Sequence, residues 1–417
     1  MSFWDGTRWV GEDPRGNRWS AGRLVRWSAA GTVLVSLVLA LGQVLAAGTA
    51  SPVLSARTPA PSAGRVATAV KPPRPSPSPP PARSLAPTTK ATGAEGGSGA
   101  APSTSQPRST PRPTPRPAPT PRLLFGLGTQ AEVARATRIA HQAPIHMLSS
   151  WYNGPSDLNW MTDTWHQSIF DSARAAGYAL HLITWSDVPE TTFTTSTGTV
   201  CGRPYPLSDR WLGDMRQLAV TFGGPRSGPP LYVTLFTEFQ TYPCIDNAWN
   251  PNAQVNAYYR ALIAQYEKGV QVFHRYAPNA RVSLGWGGWQ TRWDDPAIGG
   301  GRSMIRHFAD AMRSSDFVSF QAMAGDSNVT DIRSMTSVLG AYGPVMLAHH
   351  MPDGDSNSQA TVYAVFERDL RTLLTRSSIA SLVDHGLFAW SFMDDAPIAH
   401  SSSLFDFVRT AVRTFGR

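Results

Sequence analysis

The C-terminal part of the sequence predicts an α/β fold, a closed (β/α)8 TIM barrel over residues 123–417. Eight short apolar runs rich in β-branched and aromatic residues alternate there with longer amphipathic segments. About 295 residues hold these eight repeats, which matches the length of a single barrel. No Gly-x-Gly-x-x-Gly motif follows any of the runs, which disfavours an open doubly wound sheet, and we expect no cofactor.

Each βα unit can be placed in chain order. Gly177, Gly343 and Gly386 stand just before predicted strands, where a helix ends in a left-handed turn. The predicted strands are Leu123–Leu127, Ile145–Ser149, Ala179–Trp185, Leu231–Thr237, Arg281–Trp286, Phe317–Gln321, Pro344–His349 and Leu387–Phe392. The predicted helices are Ala131–His141, Thr164–Ala176, Leu207–Phe222, Ala253–Tyr276, Arg302–Arg313, Val329–Leu339, Gln359–Arg376 and Ser402–Thr414.

A membrane anchor is predicted at residues 27–50. Residues 27–56 carry no charged side chain, and Val, Leu and Ala dominate residues 29–47, enough to cross the hydrocarbon core. Five arginines lie in residues 1–26, so the positive-inside bias predicts a cytoplasmic leader and an extracytoplasmic barrel. Cleavage as a signal peptide near Gly48-Thr49-Ala50 is the alternative. In the leader, Trp4-Asp5-Gly6-Thr7-Arg8-Trp9 resembles a tryptophan-rich motif of bacterial envelope proteins.

Residues 51–122 predict a disordered linker. They hold 19 of the 35 prolines and lack hydrophobic periodicity, so they cannot bury enough apolar surface to fold. They also carry ten basic residues against one acidic residue, whereas residues 123–417 carry 22 basic and 25 acidic residues. The net charge of +8 therefore belongs mainly to the linker, and we expect no nucleic-acid partner.

Cys201 and Cys244 are the two cysteines of the chain. An exported domain favours a disulfide between them, and two free thiols in a reducing compartment are the alternative. A zinc site is disfavoured because Cys-x-x-Cys spacing is absent.

Polar and aromatic residues collect at the C-terminal ends of the predicted strands, where barrels of this class build their sites. Aromatic faces stack on sugar rings and amides or carboxylates bind hydroxyl groups, so this composition predicts a groove for a polysaccharide or cell-envelope glycan. Hydrophobic packing is the alternative for each tryptophan taken singly. The predicted substrate-binding residues are Trp151, Tyr152, Asn153, Trp185, Trp286, Trp289, Gln321, His350 and Trp390.

Glu238 is the strongest single candidate for a catalytic residue. The fourth predicted strand delivers this carboxylate to the end of the barrel among aromatic neighbours, which favours a raised pKa and a general-acid role. A structural glutamate paired with an arginine is the alternative.

The strand ending in Glu238, the following helix with Tyr258-Tyr259-Arg260 and Phe273-His274-Arg275, and Gly285-Trp286 together resemble glycoside hydrolase family 26, the mannanase-like barrels. The resemblance implies an acid/base glutamate after the fourth strand and a nucleophilic glutamate after the seventh. Glu238 fits the first role by position. At the second position the sequence has His349, and no glutamate occurs between Glu267 and Glu367.

Three functional interpretations therefore stay open. The first is a glycosidase in which Asp187 or Asp394 activates water for inversion. The second is a catalytically inactive glycan-binding barrel. The third is a metal-dependent hydrolase using His349 and His350 with Asp187 or Asp353, which is disfavoured because adjacent strand residues point to opposite faces. A purely structural envelope protein is the remaining possibility. We predict a membrane-anchored glycosidase that needs no metal, with Glu238, Asp187, Asp394 and His349 as its catalytic candidates.

Overall fold

The computed structural model describes residues 3–4, 9–10, 120–128, 130–245, 252–294, 303–352 and 358–417. The membrane segment predicted at 27–50 and nearly all of the leader and linker lie outside these residues. Within the described residues, no helix is both long enough and apolar enough to cross a membrane. Residues Phe3–Trp4 and Trp9–Val10 form a short antiparallel strand pair.

Eight parallel strands of the described residues close into a barrel, which confirms the predicted fold. They follow one another round the barrel in chain order, and the eighth pairs with the first. Nearly every strand residue is buried, because the core covers one face and the helices the other. We label them β1 Leu124–Leu127, β2 Met147–Tyr152, β3 Ala179–Thr184, β4 Leu231–Leu235, β5 Ala280–Gly287, β6 Val318–Ala322, β7 Val345–His350 and β8 Leu387–Phe392.

Seven of the twelve described helices begin with a side chain that caps them. Ser208, for example, accepts a hydrogen bond from the backbone N–H of Trp211. The predicted helix 131–141 is divided at Thr137, whose extended backbone ends one helix and caps the next. The helices are α1 Ala131–Ala136, α2 Arg138–Gln142, α3 Leu158–Met161, α4 Thr164–Ala175, α5 Asp209–Phe222, α6 Ala253–Tyr276, α7 Ala309–Arg313, α8 Asn328–Leu339, α9 Gln359–Leu373, α10 Arg376–Asp384, α11 Ala396–Ala399 and α12 Ser402–Phe415.

A β-hairpin between β3 and α5, absent from the sequence prediction, pairs Thr191–Thr195 with Gly198–Gly202. It rests on the start of α6, where the Thr197 hydroxyl donates to the carbonyl of Ala257 at 2.7 Å. Its second strand carries Cys201, which forms the predicted disulfide with Cys244; the two Cα atoms are 5.5 Å apart. The bond ties the hairpin to the segment that follows β4.

The barrel interior contains a buried layer of hydrogen-bonded hydroxyl groups around His181. The His181 imidazole bonds the Ser149 hydroxyl at 3.2 Å and the Thr234 hydroxyl at 2.9 Å. The Ser149 hydroxyl also forms a hydrogen bond with the Ser391 hydroxyl, and the Thr234 hydroxyl forms one with the Ser319 hydroxyl. Full burial lowers the pKa of His181 to about 3, so the ring is neutral at pH 7.

His181 should make the barrel sensitive to acid. Its folded-state pKa lies below its unfolded value of about 6.5, so the unfolded chain binds the proton first. Between about pH 6.5 and 3, the His181 contribution to the free energy of unfolding should fall by roughly 1.4 kcal/mol per pH unit. We expect His181→Gln to flatten the pH dependence of urea unfolding between pH 6.5 and 4. Parallel curves for the two proteins would contradict this expectation.

Candidate active site at the mouth of the barrel

The backbone that carries Glu238 is held in an uncommon conformation at the mouth, by which we mean the C-terminal ends of β1–β8. Phe236 and Glu238 both have left-handed backbones, with φ of 54° and 57°. Such conformations cost non-glycine residues about 1–3 kcal/mol each and concentrate at functional sites. The N–H of Thr237 donates to Thr184 in β3 and that of Glu238 to Gly285 in β5, so neighbouring strands fix the turn.

Glu238 is buried at 1% exposure and lies beside an aromatic and cationic cluster. The fully buried Arg203 guanidinium lies 4.7 Å from the ring centre of Tyr242 and 5.1 Å from that of Trp185. Burial raises the pKa of Tyr242; Arg203 opposes this shift, and the Glu238 carboxylate adds to it. The cluster comes from β3, the hairpin and the segment after β4. Trp185 therefore packs against a cation inside the protein, and sequence reasoning did not single out Arg203 or Tyr242.

Asp187 lies at the rim beyond β3. Its backbone N–H donates to the carbonyl of Asn153 at 3.0 Å, and its carboxylate lies against Gly154. The Asn153 side chain donates to Asp157 at 3.0 Å. Burial of the carboxyl group and the nearby Asp157 carboxylate raise the pKa of Asp187, although the residue as a whole is exposed. Asp187 and Asn153 thus form part of an acidic rim between β2 and β3.

Asp394 and Asp395 follow β8, on the opposite side of the barrel from β4 in the strand order. Both are half-buried. Burial, together with the charge of Asp394 and a hydrogen bond to it, raises the pKa of Asp395 to about 6. Below about pH 6 the Asp395 carboxyl group therefore holds a proton, which it shares with Asp394 in a hydrogen bond.

This sharing should be visible as a titration. We expect one aspartate carboxyl group to titrate near pH 6 in ¹³C NMR of labelled protein. In Asp394→Asn the neighbouring charge is gone, so the pKa of Asp395 should move down towards its ordinary value. A spectrum in which no carboxyl group responds to Asp394→Asn would refute the sharing.

Trp151 and His349 meet inside the mouth. The indole N–H of Trp151 lies 2.7 Å from Nδ1 of His349, and the ring centres are 4.8 Å apart. Burial lowers the pKa of His349 far below its usual value, as does His181, and a hydrogen bond with the Gly128 backbone opposes the shift. His349 is therefore a neutral hydrogen-bonding group. It cannot supply the carboxylate that a retaining glycosidase requires at this position.

Tyr152 and Trp286 lie on the helix side of their strands, contrary to the prediction that they line the groove. The Tyr152 hydroxyl donates to Asp214 of α5 at 3.1 Å. The Trp286 indole N–H points to the sulfur of Met312 in α7 at 3.2 Å. Both are fully buried, so they pack the barrel against its helices and do not reach the mouth.

His350 and Trp390 were also predicted to line the groove, and their contacts differ from that prediction. The His350 ring packs 5.1 Å from Phe366 of α9 and 5.4 Å from Trp390, and its Nε2 is 4.0 Å from buried Asp369. Because His349 and His350 are adjacent in β7, they face opposite sides of the strand. Among the described residues, no three His, Cys, Asp or Glu side chains are grouped as metal ligands.

Gln240, Gln321 and Trp289 converge around Gly287 at the end of β5. Gln321 in β6 is paired in register with Gly287. A Cβ atom built on Gly287 would collide with the Gln240 amide nitrogen and would lie 2.6 Å from the Trp289 ring. Gln240 and Gln321 are buried, and Trp289 is half-buried. Gln240 lies in a 3-10 turn directly after Glu238, and sequence reasoning, which was confined to strand ends, missed it.

No family model and no curated protein matches the chain. Solved structures of glycoside hydrolase barrels are similar to it. A GH5-4 broad-specificity endoglucanase from an uncultured bacterium has 10% identity and a TM-score of 0.45, over 71% of this chain and 94% of that one. An intracellular xylanase from Thermoanaerobacterium saccharolyticum has 12% identity and a TM-score of 0.42, over 66% and 86%. A GH113 β-1,4-mannanase has 9% identity and a TM-score of 0.40, over 70% and 98%.

Proposed function

We propose that this protein is a glycoside hydrolase that cleaves O-glycosidic bonds of a polysaccharide, with Glu238 as general acid. The observation that carries the proposal is the presentation of buried Glu238 by a strained turn at the mouth of a closed parallel barrel. Strain of this kind persists where the surrounding structure fixes a group for function. The resemblance to glycoside hydrolase family 26 supports the same role, by the order of its elements.

In the proposed mechanism, hydrolysis proceeds with inversion. Glu238 donates a proton to the glycosidic oxygen as the bond to the anomeric carbon breaks. Water attacks that carbon from the other side of the ring and gives its proton to the Asp394–Asp395 pair. The pair is preferred over Asp187 because β8 lies across the barrel from β4, which leaves room for a sugar and a water molecule between the acids.

Incubation with a panel of soluble polysaccharides tests this function. Release of reducing ends by the wild type, and its loss in Glu238→Gln, would support it. Proton NMR of the first product would then report the anomer formed. The opposite anomeric configuration to that of the substrate is expected, and retention would refute the role given to the aspartate pair.

A second function, glycan binding without turnover, is favoured by one observation. His349 takes the place where the resembled family has its nucleophile, and it is neutral and bonded to Trp151. Under this alternative Glu238 accepts a hydrogen bond from a sugar hydroxyl. Polysaccharides that bind without any release of reducing ends would favour it over hydrolysis.

We further propose that the barrel is extracytoplasmic and is held at the cell membrane by the segment at 27–50, with residues 51–122 as a cationic stalk. The Cys201–Cys244 disulfide supports this location, because such bonds persist mainly in oxidising compartments. Protease added to intact cells should remove the barrel and leave a membrane-bound fragment. A protected barrel would contradict the proposal.

A further inference from the structure

Gln240 is a buried amide whose polar atoms are not used by the fold. The residue has 0% exposure, and neither its side-chain oxygen nor its nitrogen has a hydrogen-bond partner among the described residues. Gln321 has 2% exposure, and its side-chain oxygen also has no hydrogen-bond partner among the described residues. Each such group forfeits the hydrogen bonds that it makes to water in the unfolded chain.

Other buried glutamines of this chain do contribute to the fold. Gln265 in α6 has 4% exposure and donates to the carbonyl of Ser208 at 2.9 Å. Gln290 accepts from the backbone N–H of Met304 at 3.2 Å. Within the described part of the chain, Gln240 stands apart because neither of its side-chain polar atoms is paired, whereas Gln290 and Gln321 each leave one atom unpaired. Gln240 and Gln321 both lie at the mouth beside Gly287.

The strand register directs these groups towards one point. Trp286 faces the helices, so Gly285 and Gly287 on either side of it face the barrel interior. Gln321 pairs in register with Gly287 and therefore faces inward with it. The Gln240 amide nitrogen and the Trp289 ring occupy the space next to Gly287 that a side chain would fill. Two amides and one indole face thus surround the same volume.

We propose that Gln240, Gln321 and Trp289 form a subsite that binds one uncharged sugar ring through its hydroxyl groups. A glutamine amide offers one acceptor and one donor group, which match two neighbouring hydroxyls of a sugar. The half-buried Trp289 ring provides a face for the C–H side of that sugar. The three side chains carry no positive charge with which to pair an anionic sugar, so the subsite favours an uncharged one. This subsite names the substrate class of the proposed hydrolase and rests on that function.

The first test compares two substitutions by thermal unfolding. Gln240→Met removes an unused buried amide and keeps its volume, so the midpoint should stay the same or rise. Gln265→Met is the matched control; it breaks a used hydrogen bond and should lower the midpoint by about 2 °C or more. A fall in Gln240→Met as large as in the control would overturn the proposal, because Gln240 would then be a structural residue.

The second test measures binding in the Glu238→Gln background by affinity gel electrophoresis. The probes are galactomannan, xylan and arabinogalactan as neutral polymers and polygalacturonate as an anionic one. We expect retardation by at least one neutral gel and a loss of about tenfold or more in affinity in Gln240→Met and in Gly287→Ala. Preference for polygalacturonate, equal binding by the variants, or no retardation by any neutral gel would overturn the proposal.

The two proposals fail in different ways. If the protein binds a neutral polymer through Gln240 but never releases reducing ends, the subsite proposal is supported and the hydrolase proposal is contradicted. If Gln240→Met hydrolyses the polymer with unchanged KM, the hydrolase proposal is supported and the subsite proposal is contradicted.

Discussion

Replacing Glu238 by glutamine should lower the rate of polysaccharide hydrolysis by about a hundredfold to ten-thousandfold and leave the barrel folded. General-acid catalysis contributes a factor of this size, and glutamine has no proton to donate to the leaving oxygen. The side chain keeps its shape, so the turn between Phe236 and the 3-10 helix Phe239–Thr241 should persist. The measurement is kcat/KM for release of reducing ends, with circular dichroism as the check on folding.

Glu367→Gln is the control. Glu367 lies on α9 and pairs with Arg371 on the outer surface, far in the fold from the strand ends, so its loss should leave the rate unchanged. A leaving group that needs no proton, such as a fluoride, should restore much of the activity of Glu238→Gln. Full activity of Glu238→Gln on an ordinary polysaccharide would remove Glu238 from the mechanism.

The sequence predicts the eight strands because each is a continuous apolar run. The observed bounds differ from the predicted ones by no more than three residues; β8 at Leu387–Phe392 coincides, and β2 begins at Met147 against a prediction of Ile145. The helix at Ala253–Tyr276 also coincides, since Asn252 caps its start. Gly177 and Gly386 do adopt the left-handed conformation, with φ of 88° and 98°, whereas the same prediction was wrong for Gly343, which does not have a positive φ. Apolar runs, helix caps and glycine turns depend on neighbouring residues, so they can be predicted from a single sequence.

The sequence does not show in the same way whether a strand side chain faces the barrel interior or the helices. In a half-exposed strand the polar residues mark the outer face, but the strands of this barrel are buried on both faces and carry polar residues such as Ser149, His181 and Thr234 inside, so the usual pattern does not mark which residues face inward. Tyr152, Trp286 and Trp390 were therefore predicted as groove residues, whereas Tyr152 and Trp286 contact helices and Trp390 packs against His350. Trp151 and Gln321 have the opposite parity and do face the interior.

Residues beyond the strands were missed for a different reason. Arg203 reaches Tyr242 only because the hairpin folds back onto the segment after β4, a contact between positions far apart in sequence. Gln240 follows the strand by five residues, in a turn that no periodicity predicts. One signal was available for the hairpin: the threonine-rich run Thr191–Thr195 followed by Gly198 is typical of two short strands and a turn.

The Cys201–Cys244 disulfide should account for much of the stability of this side of the barrel. It closes a loop with a sequence separation of 43 residues, for which the chain-entropy model gives about 4 kcal/mol. Replacing both cysteines by alanine should therefore lower the thermal midpoint by about 6 °C. Dithiothreitol should produce a similar shift in the wild type and none in the double variant, because the chain has two cysteines. Equal midpoints for oxidised and reduced wild type would contradict this prediction.

The same bond should matter for the site. Next to the disulfide, the N–H of Arg203 donates to the carbonyl of Tyr242 at 3.2 Å, and Gly202 pairs with Pro243. These contacts hold the arginine against the chain that leads back to Glu238. When the bond is reduced, the hairpin should open at a lower temperature than the barrel, since the eight-stranded ladder keeps its own hydrogen bonds. Hydrogen exchange at Thr191–Thr195 should then accelerate at temperatures where β4 stays protected, and hydrolysis should fall in step with the exchange. Loss of protection in the hairpin and β4 together would show instead that the disulfide stabilises the barrel as one unit.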